Sequence, residues 1–102
     1  MYIAMNRFKV LPEEIANFEE VWRSRDSRLN DVPGFVSFSL LRGAETNEYV
    51  LYASHTIWTD EAAFTDWTKS DHFRHAHARA GEGNKLTIGH PQFEGFTSIL
   101  EA

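Results

Sequence analysis

Three histidines, His72, His75 and His77, form an H-x2-H-x-H pattern inside FTDWTKSDHFRHAHARA, residues 64–80. Neutral imidazole is a common metal ligand, so a metal centre is the first chemistry to consider. The spacing argues against one ion held by all three. On a helix His72 and His75 share a face, while His77 points about 160° away from His75. His77 instead falls four residues after Phe73, on a helical stripe with an apolar member. His72 and His75 sit beside Asp71 and Arg74, as surface residues do. Trp67 stands three residues after Phe64, on the inner side of the preceding helical run. A tryptophan or histidine there is more often core than chemistry, so spacing alone leaves both roles open.

Asn6 is the other candidate. Tyr2, Ala4, Asn6, Phe8 and Val10 alternate with Ile3, Met5, Arg7 and Lys9, which predicts a strand over residues 2–10. Asn6 falls on the apolar face, where an amide left without partners costs about 1–3 kcal/mol. It is either tied to neighbouring backbone or aimed into a cavity. With Trp22, Trp67 and His77 it could line a pocket. The sequence shows no nucleophile–base pair, no phosphate-cradling glycine loop and no paired catalytic carboxylates.

The elements that must position these residues follow in order. Pro12, Glu13 and Glu14 open a helix whose apolar stripe is Ile15, Phe18, Val21, Trp22 and Leu29. Arg23, Arg25 and Arg28 suit its C-terminal end, and such a cluster at a pocket mouth would also hold carboxylates. Asp31–Gly34 is a turn. Strands follow over 35–41 and 49–58, joined through 43–48, with Phe35, Ser37, Ser39 and Leu41 expected on one face of the first. Asp60 is the expected N-cap of a helix that breaks at Ser70-Asp71 and resumes to about Ala80. Residues 81–91, with three glycines and a proline, read as a mobile loop, and 93–100 as a last strand. Strand, helix, strand, strand, helix, strand is the ferredoxin-like α+β pattern, an antiparallel sheet with helices on one face. The other face needs a cover if apolar, which predicts a homodimer.

Size and composition fit one domain over residues 1–102. Hydrophobic residues make up 42% and aromatic residues 14%, more rings than a small core requires. The formal net charge of -5 argues against a nucleic-acid partner. The absence of cysteine removes disulfides, thiolate metal sites and cysteine nucleophiles, and suits a cytoplasmic setting. No apolar run approaches the roughly 18 residues of a membrane span, and MYIAMNRFKV has no signal-peptide character.

AFTDWTKSDHFRHAH, with MNRFKV at the N-terminus and PGFVSFSLLRG in the middle, resembles the antibiotic biosynthesis monooxygenase superfamily. Within it the likeness is to Isd-type heme-degrading monooxygenases, through W-x9-H after an early asparagine: Asn6, Trp67 and His77. The resemblance spans nearly the whole chain and implies a dimeric α+β barrel. It implies His77 as the proximal iron ligand, Asn6 as an amide donor to bound oxygen, and Trp67 as the ring that distorts the porphyrin. Trp22, Phe64 and Phe73 would be apolar walls and Arg25 a partner for the propionates. Heme would be substrate and cofactor, opened with O2 and electrons from a separate donor, with release of iron. The short connection before the last strand, which holds His90, departs from the pattern and could change access or product. Two other readings share the fold: a cofactor-independent monooxygenase of a polyaromatic or quinol substrate, and a non-catalytic heme-binding protein.

Overall fold

A computed structural model describes residues 1–25, 28–76 and 84–102 of the chain. Four strands, β1 (Tyr2–Val10), β2 (Phe35–Glu45), β3 (Val50–Trp58) and β4 (Gln92–Thr97), form one antiparallel sheet in the order β2-β3-β1-β4. The helices are α1 (Ile15–Arg23), α2 (Glu61–Thr68) and α3 (Asp71–Ala76). This is the ferredoxin-like α+β fold expected from the periodicities, with the second helix broken in two. Among the described residues no helix is long and apolar enough to cross a membrane.

Local chemistry sets the helix ends. Asp60 caps α2, its carboxylate accepting from the Ala63 N–H at 2.8 Å. The Ser70 hydroxyl accepts from the Phe73 N–H at 3.2 Å, so the chain restarts as α3. Helix α1 stops sooner than its apolar stripe suggested. The Ser24 hydroxyl and N–H both reach the Glu20 carbonyl, and the chain leaves the helix there. Leu29 is therefore not on α1; it lies in a separate 3-10 turn, Leu29–Asp31, and packs with Trp58 and Trp67.

Three further expectations are corrected. The β2–β3 register shifts between Phe35 and Ser37, a bulge that an alternating pattern cannot reveal. Phe35 therefore lies opposite Trp58 on the helix-covered face with Phe38 and Leu40, not with Ser37, Ser39 and Leu41. Strand β2 also runs on to Glu45, through residues expected in the connection. Part of the 81–91 segment is held in place. Leu86 packs into the core, the Leu11 N–H donates to the Leu86 carbonyl at 2.9 Å, and Thr87 bridges to Val10. Residues 81–83 lie outside the described residues.

Gly34 makes the turn into β2 possible. It has φ of 83°, and a Cβ there would sit 2.4 Å from the Ala63 Cβ. That close approach sets α2 against the start of β2.

The helix-covered face carries two clusters, not one continuous core. Toward one end of the strands Tyr2, Ala4, Trp58 and Trp67 pack with Leu29, Val32, Phe35, Ala63, Phe64 and Phe73. Toward the other, Val10, Phe18, Val50 and Tyr52 pack with Phe8, Ile15, Trp22, Leu40 and Leu86. Helix α1 covers the second cluster, and α2 with α3 the first. Among the described residues the opposite face carries no helix: Ile3, Met5, Leu51, Ala53 and Ile57 share its centre with Arg7, Lys9 and His55, and Leu41 and Phe96 are exposed at 42% and 48%.

Candidate functional site

Between the two clusters one row of residues crosses the whole sheet. Leu40 pairs with Ser54, Ser54 with Asn6, and Asn6 with Phe93. Its two central members are polar, on a face whose neighbouring rows are Ala4–Thr56 and Phe8–Tyr52. Thr56 has spent its hydroxyl, which accepts from Trp58 Nε1 at 2.9 Å and donates to the Ala4 carbonyl at 3.3 Å. Among the described residues the Asn6 amide and the Ser54 hydroxyl make no such bond. Asn6 is thus not tied down by neighbouring backbone. Neither side chain is a fully buried unpaired atom, so the row presents two adjacent polar groups that a ligand or water can reach.

Aromatic rings flank the row. On one side Trp67, 8% exposed, lies 5.3 Å from Trp58 and 6.1 Å from Phe64, with Phe73 edge-on at 4.9 Å. The break at Ser70 puts Trp67 and Phe73 on different helices yet in contact. Phe64 stacks on Phe93 at 5.6 Å, so β4 extends this wall to the Asn6 position. On the other side Trp22 meets Phe8 edge-on at 5.7 Å and stacks on Phe38 at 5.8 Å.

Arg25 lies over the Trp22 ring at 4.2 Å, a cation–π contact. Burial pushes its guanidinium below the usual arginine range, since desolvation disfavours the charged form. It pairs with no carboxylate among the described residues. A partly buried cation with no carboxylate partner among the described residues is a ready partner for an anionic ligand. A cleft of about 350 Å³ also opens beside Trp22, lined by Glu19, Arg23, Phe38, Leu40, Arg42 and Tyr52. There the Tyr52 hydroxyl donates to Glu19, and this bond holds the Glu19 carboxyl below the usual carboxylate range.

Of the residues singled out from sequence, Asn6 lies in the row, Trp67, Phe64 and Phe73 on one side of it, and Trp22 and Arg25 on the other. His77 lies outside the described residues. Among those described, no group of three or more His, Cys, Asp or Glu could hold a metal ion. Sequence reasoning missed Ser54 and Phe93. Ser54 carried the same signal as Asn6, a polar residue on an apolar strand face. Phe93 becomes a neighbour only through the β1–β4 pairing.

The fold and sequence both have relatives among solved structures. SnoaB, a cofactor-independent oxygenase from Streptomyces nogalater, is 26% identical, with TM-score 0.70 over 98% of this chain and 94% of that one. The heme-degrader MhuD from Mycobacterium tuberculosis, with two hemes bound in its active site, is 24% identical, with TM-score 0.76 over 100% and 99%. A conserved protein from Methanosarcina mazei Go1 has TM-score 0.71 at 16% identity, covering 93% and 89%. At 24% and 16% the likeness is one of fold. The sequence itself matches the antibiotic biosynthesis monooxygenase model over residues 1–79, and the chain belongs to that family.

Proposed function

We propose that this family member is a heme-degrading monooxygenase that takes heme as substrate and cofactor and releases iron and an open tetrapyrrole. The observation that carries this reading is the Asn6–Ser54 pair, polar and unspent, between two aromatic walls with the Arg25 cation at one of them. A flat, largely apolar ligand with carboxylates at one edge needs those features together. The residues fit heme in kind. Trp22, Phe64 and Phe73 supply apolar walls, Arg25 meets the propionates, and His77 supplies the neutral ring nitrogen for iron.

Heme, when bound, supplies the activation of O2, with electrons from a separate donor. The chain's own residues bind and orient. Asn6 directs an amide N–H from the sheet, where a hydrogen bond in a water-poor cleft is stronger than in water. Trp67, locked by Trp58 and Phe73, would hold a rigid ring against the porphyrin and so orient it.

A second reading has support from SnoaB: oxidation of a polyaromatic or quinol substrate without a cofactor. Asn6 and Trp67 would then position substrate and O2, with His77 as acid or base. Adding hemin to the purified protein decides between them. Heme degradation requires a stoichiometric Soret band that disappears with ascorbate in air as iron is released. No band rejects heme binding, and a band stable to ascorbate indicates a carrier.

The open sheet face supports a homodimer in the cytoplasm. Ile3, Met5, Leu51, Ala53 and Ile57 form an apolar strip that a second sheet would bury face to face, closing a dimeric α+β barrel. Light scattering after gel filtration should give twice the chain mass of 11.7 kDa. A stable monomer would reject the assembly.

A further inference from the structure

We propose that Ser54 is a second ligand-binding group, which acts with Asn6 as a two-point clamp on one polar atom of the bound ligand. The identity of the ligand rests on the function proposed above; the clamp itself rests on the sheet. Ser54 is 7% exposed and lies directly opposite Asn6 in the β1–β3 register, both on the helix-covered face. Side chains so paired have Cβ atoms about 4.5–5.5 Å apart, close enough for both to reach one atom above the sheet.

The neighbouring threonine shows that this strand satisfies a buried hydroxyl where it has only structure to maintain. Thr56 is bonded on both sides, to Trp58 and to Ala4. Ser54, two residues away on the same face, has no such partner among the described residues. A valine at that position would suit the flanking Tyr52 and the two clusters better. The Ser54 hydroxyl, without a partner among the described residues yet not sealed off as a buried unpaired atom, is open to a ligand or an ordered water. Hydroxyl and amide together can both donate and accept, so the clamp suits an oxygen atom or a small anion.

The test uses cyanide, a small acceptor anion, on the ferric hemin-loaded protein. Ser54→Ala should weaken cyanide binding about fivefold, the loss expected for one hydrogen bond. Ser54→Thr, which keeps the hydroxyl, should restore it. Equal affinity in Ser54→Ala and wild type overturns the clamp. If the wild type takes up no hemin, the heme reading falls, and a crystal structure of the ligand-free protein decides the clamp independently. A water bonded to both the Asn6 amide and Ser54 Oγ sustains it. A Ser54 hydroxyl turned onto a main-chain carbonyl removes it.

Discussion

His77→Ala should abolish specific hemin binding, while His75→Ala leaves the Soret band intact. Helix phase separates the two. Phe73 of α3 packs edge-on against Trp67 at 4.9 Å, which fixes the inward face of that helix. In the sequence the helical period puts a residue four positions on from Phe73 on the same stripe and a residue two positions on about half a turn away. His77, which lies outside the described residues, is therefore the histidine that spacing alone favours. Its loss should exceed the roughly 10–100-fold drop in affinity seen when a group merely supporting a metal ligand is removed. Added imidazole should restore the spectrum of His77→Ala by taking the vacant position. The opposite pattern, with His75→Ala losing the band, would move the ligand to His75.

Asn6→Ala should slow heme oxidation about a hundredfold and leave folding and hemin uptake almost unchanged. Removing one donor aimed at developing charge costs about 10²–10³ in rate in enzymes that depend on such donors. The fold has little to lose, because the Asn6 amide bonds to nothing among the described residues. Truncation thus leaves no new unsatisfied partner behind. The measurement is Soret decay under ascorbate and air in a single turnover, alongside thermal melting of the ligand-free variant. A large fall in melting temperature would make Asn6 a structural residue. A wild-type decay rate would remove it from the chemistry.

The two variants act on different supports. One removes a group that lies outside the described residues, the other a group on a central strand paired on both sides. Both proposals start from a local period in the sequence: 3.6 residues for His77 against Phe73, and two for Asn6 among Tyr2, Ala4, Phe8 and Val10. The same local grammar placed the Asp60 cap and the break at Ser70, whose hydrogen bonds reach three residues along the chain.

Distant neighbours changed several local expectations. Phe35 changed faces because β2 absorbs an extra residue against β3, a mismatch invisible in either strand alone. Leu29 left its helix because it packs with Trp58 and Trp67 rather than along α1. Leu86 and Thr87 were expected in a mobile loop, but Val10 and Leu11 hold them from the far end of β1.

By itself the sequence determined the order of elements, the α+β class and the anomaly at Asn6. These depend on contacts within a few residues, which residue type and spacing encode directly. Only the tertiary structure decided that the core divides in two, and that Ser54 stands opposite Asn6 at the division. It alone placed Trp67 and Arg25 on opposite sides of that row. Those facts depend on strand register and on which cluster each helix covers, and both are set by pairings between residues up to about ninety positions apart.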